Sequence, residues 1–256
     1  MTAWYETGFG REYLDLYAHR DAAEARADIK AIVHLLAPAR DEPLLDLCCG
    51  ACRHLLVLRE MGFSQLVGLD LSQELLQVAA RELKKANPAW TQTQDPVRLV
   101  RSDMRLIPYQ GHFGTVLSLF TSFGYFEEDQ QNQAVFDAVL QALRLGGKFL
   151  VDYLSRDYVI AHLVERDEQD LPGCHVFNIR HLTDDGRRVE KRITVLSEKG
   201  RTREYLESVR LYAQSEMADM LSRSGFVGIH SYGTLKGHPF GPESKRLVLI
   251  AEKGAR

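Results

Sequence analysis

Leu44-Leu45-Asp46-Leu47-Cys48-Cys49-Gly50-Ala51-Cys52-Arg53-His54 is a short apolar run that ends in small residues and leads into a helical pattern. A strand with such an exit lets a ligand approach the backbone and the next helix N-terminus, where free N–H groups and the helix dipole favour an anionic group. Further short apolar runs follow at Leu66-Val67-Gly68-Leu69-Asp70, Val97-Arg98-Leu99-Val100, Val116-Leu117-Ser118-Leu119-Phe120 and Lys148-Phe149-Leu150-Val151-Asp152. Between them, Leu75, Leu76, Ala79 and Leu83, then Val135, Phe136, Val139, Leu140 and Leu143, recur as one face of a helix each. Strands alternating with helices predict βαβ units, a parallel sheet and an α/β fold. Gly146-Gly147 is expected to close the second helix, since glycine accepts a left-handed helix end at little cost.

After Asp152 the pattern changes. Three β-like runs, 175–182, 188–197 and 203–212, are separated by Asp184-Asp185-Gly186 and Glu198-Lys199-Gly200, which are turn sequences suited to an antiparallel meander. In the second run Val189, Ile193 and Val195 share one face, with Glu190, Arg192 and Thr194 on the other. Met217, Met220 and Leu221 then mark a helix stopped by Gly225, and two strands are expected at about 226–232 and 245–252. The first 40 residues are expected to be helical, with Tyr13, Leu14 and Tyr17 on one turn and Ile29, Ile32, Val33 and Leu36 on another.

Three strand ends carry small or acidic residues in succession. Asp70 is placed to accept both hydroxyls of a ribose, and Asp103, just past the third strand, to meet a base. On these residues the chain resembles the class I S-adenosylmethionine-dependent methyltransferases. Asp46 to Gly50 matches their first motif, Val67 to Asp70 the second, Ser102-Asp103-Met104 the third, Phe113 to Phe120 the fourth, and Leu143 to Lys148 the step before the fifth strand. The stretch Phe120-Thr121-Ser122-Phe123-Gly124-Tyr125-Phe126 and the ending Ser244-Lys245-Arg246-Leu247 resemble a bacterial small-molecule-type subgroup.

The resemblance implies a Rossmann-like, seven-stranded class I methyltransferase fold with an inserted antiparallel β meander. It divides the chain into an N-terminal helical cap, 1–40, and a methyltransferase domain, 41–256, whose cover lies at about 174–212. It implies S-adenosyl-L-methionine as cofactor, bound by Asp46, Cys48, Gly50, Asp70, Leu71, Asp103, Met104 and Leu119, with no catalytic residue assigned and no metal. Gly50 would border the methionyl portion, Asp70 the ribose, and Asp103 with the Met104 backbone the adenine, while Leu119 and Phe120 would pass beneath the sulfonium. Catalysis would be alignment and desolvation of an in-line transfer to a small-molecule N or O acceptor.

The first motif of this family favours glycine at the positions of Cys48, Gly50 and Cys52, and only Gly50 retains it. Cysteine at position 48 suits a negative φ, and a side chain at Cys52 is expected to crowd the cofactor or the helix packing. Tyr5, Tyr13 and Tyr17 could form an aromatic lid over the sulfonium or simply pack on the sheet. Arg20 and Arg53 are candidates to pair with the cofactor carboxylate, and His175, His181, Arg210 and Tyr212 to face the acceptor. Two rival readings stand beside the enzyme: a non-catalytic S-adenosylmethionine-binding regulatory module, and a metal or redox protein built on Cys48, Cys49 and Cys52.

Composition narrows the partners. Lys+Arg 32 against Asp+Glu 35, a net charge of −3, leaves no concentrated basic face, which disfavours nucleic acid. The apolar run at Val116 to Phe120 is far short of the roughly 18 residues of a membrane span. The N-terminus lacks a basic segment followed by an apolar run, so a cytoplasmic protein is expected, with a homodimer left open.

Overall fold

The computed structural model describes residues 3–17, 21–87 and 97–254. Three helices lead: α1 (Trp4–Thr7), α2 (Arg11–Leu16) and α3 (Ala22–Leu36). The α/β core follows as β1 (Leu44–Leu47), α4 (Arg53–Glu60), β2 (Leu66–Asp70), α5 (Gln73–Ala86), β3 (Arg98–Arg101), β4 (Phe113–Ser118), α6 (Asp129–Ala142) and β5 (Leu143–Leu154). Then come α7 (Arg156–Ala161), β6 (Arg166–Leu171), β7 (Cys174–Leu182), β8 (Arg188–Ser197), β9 (Thr202–Arg210), α8 (Gln214–Ser224), β10 (Phe226–Tyr232) and β11 (Arg246–Lys253).

Seven strands form one sheet in the order β10-β11-β5-β4-β1-β2-β3, parallel except for the pairings of β11 with β5 and β10. β1, β2 and β4 are buried along their whole length, because helices cover both faces, and therefore read as unbroken apolar runs. Side-chain alternation divides the core in two. Leu45, Val67, Val116 and Phe149 pack with α6 and α8, whereas Leu44, Leu66, Leu117 and Leu150 pack with α3, α4 and α5. The expected face of α5, Leu75, Leu76, Ala79 and Leu83, is buried, and the Ser72 hydroxyl caps its start by accepting from Leu75 N. No helix among the described residues is long and apolar enough to cross a membrane.

Two expectations require correction. The antiparallel cover has four strands, β6-β7-β8-β9, and begins at Arg166. Arg166-Asp-Glu-Gln-Asp-Leu171 shows no apolar alternation because it is an exposed edge strand, paired only with β7, and charge on an edge discourages pairing with other chains. Gly146-Gly147 does not close α6, which ends at Ala142 with Leu143 already extended. Both glycines lie within β5, and a Cβ on Gly147 would stand 2.9 Å from the carbonyl oxygens of Arg144 and Phe113.

Gly68, in the middle of β2, has a similar constraint: an added Cβ would meet Leu55 Cδ1 at 2.7 Å and Cys49 Sγ at 2.8 Å. Gly68→Ala is expected to destabilise the fold by about 1–3 kcal/mol through overpacking, read as a lowered urea midpoint. An unchanged midpoint would show that β2 and the cysteine turn are not in close contact.

Candidate active site

The turn from β1 into α4 has an unusual backbone. Cys48, Gly50 and Cys52 have φ of 63°, 53° and 66°, so all three positions are left-handed although only one is glycine. Cysteine at 48 is therefore not accommodated by a negative φ, as its residue type suggested. An L-residue in this region costs roughly 1–2 kcal/mol, and packing offsets it here. Cys48 Sγ lies 3.9 Å from Met104 Sδ, and the fully buried Cys52 Sγ lies 3.8 Å from Cys49 Sγ in the core beneath the turn. The Cys52 side chain is absent from the cavity wall and does not crowd it. Burial pushes the Cys48 thiol well above its ordinary range; the hydrogen bond with Cys52, together with burial, does the same to Cys49. Neither offers a thiolate at neutral pH.

Asp70 at the end of β2 fastens this turn. Its carboxylate accepts from Gly50 N and from Ser72 N, each at 2.8 Å. Burial raises its pKa, opposed by these N–H donors and that of Leu71. Beside it lie two buried groups with incomplete hydrogen bonding. Asp46 Oδ2 and His54 Nε2 have no partner among the described residues, and Asp46 Oδ2 stands 4.0 Å from His54 Nδ1. Burial, assisted by the Asp70 charge and opposed by Arg53, pushes Asp46 up to about 7. Burial, with Arg53 and Arg246 adding to it, pulls His54 down to about 3 and keeps the imidazole neutral.

These residues wall a cavity of about 200 Å³. Asp46, Cys48, Gly50, Asp70, Leu71, Met104 and Leu119 all line it. Asp103 does not: its carboxylate takes Arg105 Nε at 3.0 Å and Nη2 at 2.6 Å, and that guanidinium lies over the Phe126 ring. Burial raises the Asp103 pKa, but the Arg105 hydrogen bonds outweigh it and the net shift is downward. Tyr5, Tyr13 and Tyr17 reach the cavity as expected for a lid; Phe9, Leu14, Ser122 and Tyr125 reach it without having been anticipated. Arg53 lines it too, paired with Glu24 at 3.0 Å and lying 4.1 Å from the Phe120 ring centroid. Arg20 falls outside the described residues.

A second cleft, of about 920 Å³, opens between α7 and the cover. Phe9, Tyr13, Tyr17, Phe120 and Tyr125 belong to the walls of both, so the cavities meet at an aromatic collar. None of His175, His181, Arg210 or Tyr212 faces either space. His175 and His181 share the outer face of β7 with exposed Phe177 and Ile179, while Arg210 and Tyr212 are buried against Asp129. The faces that do look into the cleft carry Val189, Lys191, Glu207 and Val209. Arg188 fastens the cover to the collar, donating to the carbonyls of Phe126 at 2.9 Å, Tyr125 at 3.2 Å and Gly124 at 3.3 Å. The N-terminal helices are tied to the cover as well. The Tyr17 hydroxyl donates to Glu207 at 2.7 Å and accepts from Lys191 at 2.9 Å, and Tyr205 donates to Glu12.

A family model described as a methyltransferase domain matches residues 44–147, the stretch that holds the left-handed turn, Asp70 and the collar residues Phe120 and Tyr125. Residues 44–147 are thus a methyltransferase domain, and the chain is similar to S-adenosylmethionine-dependent methyltransferases. Among curated relatives, a Streptomyces venezuelae protein named dTDP-3-amino-3,4,6-trideoxy-alpha-D-glucopyranose N,N-dimethyltransferase is 26% identical over 216 residues, covering 80% of this chain and 84% of that one. An S-adenosylmethionine-dependent methyltransferase from Clostridium acetobutylicum has the same fold, with a TM-score of 0.78 at 19% identity over 95% of this chain and 97% of that one. A sugar N-methyltransferase from Streptoalloteichus has it with a TM-score of 0.70 at 20% identity over 100% and 98%.

The cavity fits the methyltransferase cofactor on its own chemistry. Asp46 and His54 offer unfilled polar atoms, and Asp70 presents a carboxylate at the end of β2. Asp70→Ala is expected to raise the dissociation constant for S-adenosylhomocysteine more than tenfold and, by leaving two N–H groups without their acceptor, to cost about 1–3 kcal/mol of stability. Calorimetric titration and urea melts check both. Unchanged binding would remove Asp70 from the site.

Proposed function

We propose that this methyltransferase N-methylates a small-molecule amine admitted through the larger cleft. The observation that carries the reading is the aromatic collar joining the two cavities. When bound, S-adenosylmethionine supplies an electrophilic methyl group on a sulfonium. In this reading Asp46 accepts from the ammonium of the methionyl portion, Asp70 from the ribose, and Leu71 and Met104 flank the adenine. Cys48 and Gly50 give close backbone approach, and Leu119 with Phe120 forms the floor beneath the sulfonium. Asp103 acts at one remove, holding Arg105 in place.

Tyr5, Tyr13 and Tyr17 then close the cofactor side and present ring faces to a cationic centre, a contact worth about 0.5–2 kcal/mol. The collar rings exclude water and fix the approach line, which is the main source of rate in such a transfer. No collar residue is a strong base at neutral pH, and burial pushes the Tyr125 hydroxyl well above its ordinary range. Such a collar suits a neutral amine, whose lone pair is ready to attack, better than an alcohol that must first lose a proton. The amine-modifying activities named for the Streptomyces venezuelae and Streptoalloteichus proteins support the same choice. A cytoplasmic enzyme acting on a soluble metabolite is consistent with this reading.

The test is transfer of labelled methyl from S-adenosylmethionine to matched small amines and alcohols, amino-sugar nucleotides included. Amines are expected to be labelled and their hydroxyl counterparts not. Labelling of alcohols alone would overturn the N-acceptor reading, and cofactor binding without any labelling would favour the regulatory module.

The pH dependence of binding follows from Asp46. A carboxyl whose folded pKa is raised, here to about 7, contributes stability to the free protein at acid pH that is lost as pH rises through that value. A ligand ammonium selects the ionised form. While the ligand amine stays protonated, affinity for S-adenosylhomocysteine is therefore expected to weaken by about tenfold per pH unit as pH falls below about 7. Asp46→Asn should abolish the slope, and a wild-type slope surviving in that variant would reassign it to another group.

A further inference from the structure

Phe120 and Thr121 are consecutive non-glycine residues with φ of 58° and 59°, at the exit of β4 where the two cavities meet. Left-handed backbone at two adjacent side-chain-bearing residues persists only where the surroundings hold it. The hold includes Asp152, a residue of β5 that is 1% exposed and lines neither cavity. Its Oδ2 accepts from Phe120 N at 2.9 Å and its carbonyl oxygen from Thr121 N at 3.0 Å. Arg246, the first residue of β11, donates to the same Oδ2 at 2.6 Å. The Arg246 guanidinium also lies 4.8 Å from the Phe120 ring centroid, while Arg53, on the cofactor cavity, lies 4.1 Å from it. Phe120 is thus gripped through its amide by Asp152 and through its ring by two guanidinium groups.

We propose that Asp152 and Arg246 are positioning residues for methyl transfer, holding Phe120–Thr121 in the strained form that makes the partition between cofactor and acceptor. The proposal rests on the methyltransferase reading of the two cavities. It gives a role to the Ser244-Lys245-Arg246-Leu247 ending, whose place in the sequence had no chemical meaning of its own. Arg246, which also lines the larger cleft, acts by holding the Asp152 carboxylate aimed at the Phe120 amide. Without it the turn relaxes toward ordinary φ, the ring leaves the partition, and the acceptor is no longer aligned. A misplacement of about 1 Å can cost on the order of 10²-fold in rate.

Asp152→Asn and Arg246→Met are each compared with wild type by three readouts: S-adenosylhomocysteine affinity, hydrogen exchange of the peptide spanning 119–124, and turnover of the amine that wild type labels. The expected result is faster exchange confined to that peptide, cofactor affinity within about threefold, and kcat lower by about 10²-fold with a smaller change in KM. Thr121→Gly supplies the control, since glycine adopts the left-handed form unaided. In that background, Arg246→Met should cost markedly less in kcat, which a general loss of stability would not produce. Unchanged local exchange, a kcat loss matched by loss of cofactor affinity, or full additivity with Thr121→Gly would overturn the proposal. Wild type that binds cofactor but labels no acceptor would instead overturn the methyltransferase reading, and this one with it.

Discussion

Two hydrogen bonds to one carboxylate set the geometry from which the site is built. Asp70 receives Gly50 N and Ser72 N, each at 2.8 Å, and so locks the exit of β1 to the exit of β2. The left-handed turn at Cys48, Gly50 and Cys52 can then stay open to a ligand instead of collapsing onto the strand ends. Cysteine occupies two of these three left-handed positions, and both side chains find packing partners in Met104 and Cys49. The strain is local, and the core around β1 and β2 absorbs it.

The second constraint is the junction of the two cavities. Parallel strands alone leave a ligand at the open end of the sheet. Here the cover and the N-terminal helices close over that end, joined through Tyr17, Lys191 and Glu207 and through Tyr205 with Glu12. Arg188 fixes the cover to the 124–126 carbonyls, and Asp152 with Arg246 fixes the 120–121 turn. The rings between the cavities are thereby held by polar contacts at both ends of one loop, which suits a reaction governed by alignment.

Much of this was legible in the residues. Buried parallel strands must be apolar on both faces, so β1, β2 and β4 announced themselves, and the small or acidic residues at the ends of β1 and β2 marked the cavity. β6 could not be read that way, since an edge strand made of Arg, Asp, Glu and Gln has no apolar period. Gly146-Gly147 misled because glycine serves a close backbone approach as readily as a helix end. Asp103 pointed to the base from its place at a strand end, yet its neighbour Arg105 claims the carboxylate. His175 and His181 failed on strand parity: they fall on the outer face of β7, while Asn178 and Arg180 fall on the inner one. The collar and the Asp152–Arg246 pair were out of reach because they join segments distant in the chain, which no local pattern encodes.

In the proposed site, cofactor and acceptor occupy two cavities that meet at Phe9, Tyr13, Tyr17, Phe120 and Tyr125. A crystal structure with S-adenosylhomocysteine tests it most directly. The expected result has the ribose hydroxyls on Asp70, the amino group within hydrogen-bonding distance of Asp46, and the sulfur facing the collar with the larger cleft open beyond it. A sulfur directed away from Phe120 and Tyr125, or a ligand seated in the larger cleft alone, would contradict it.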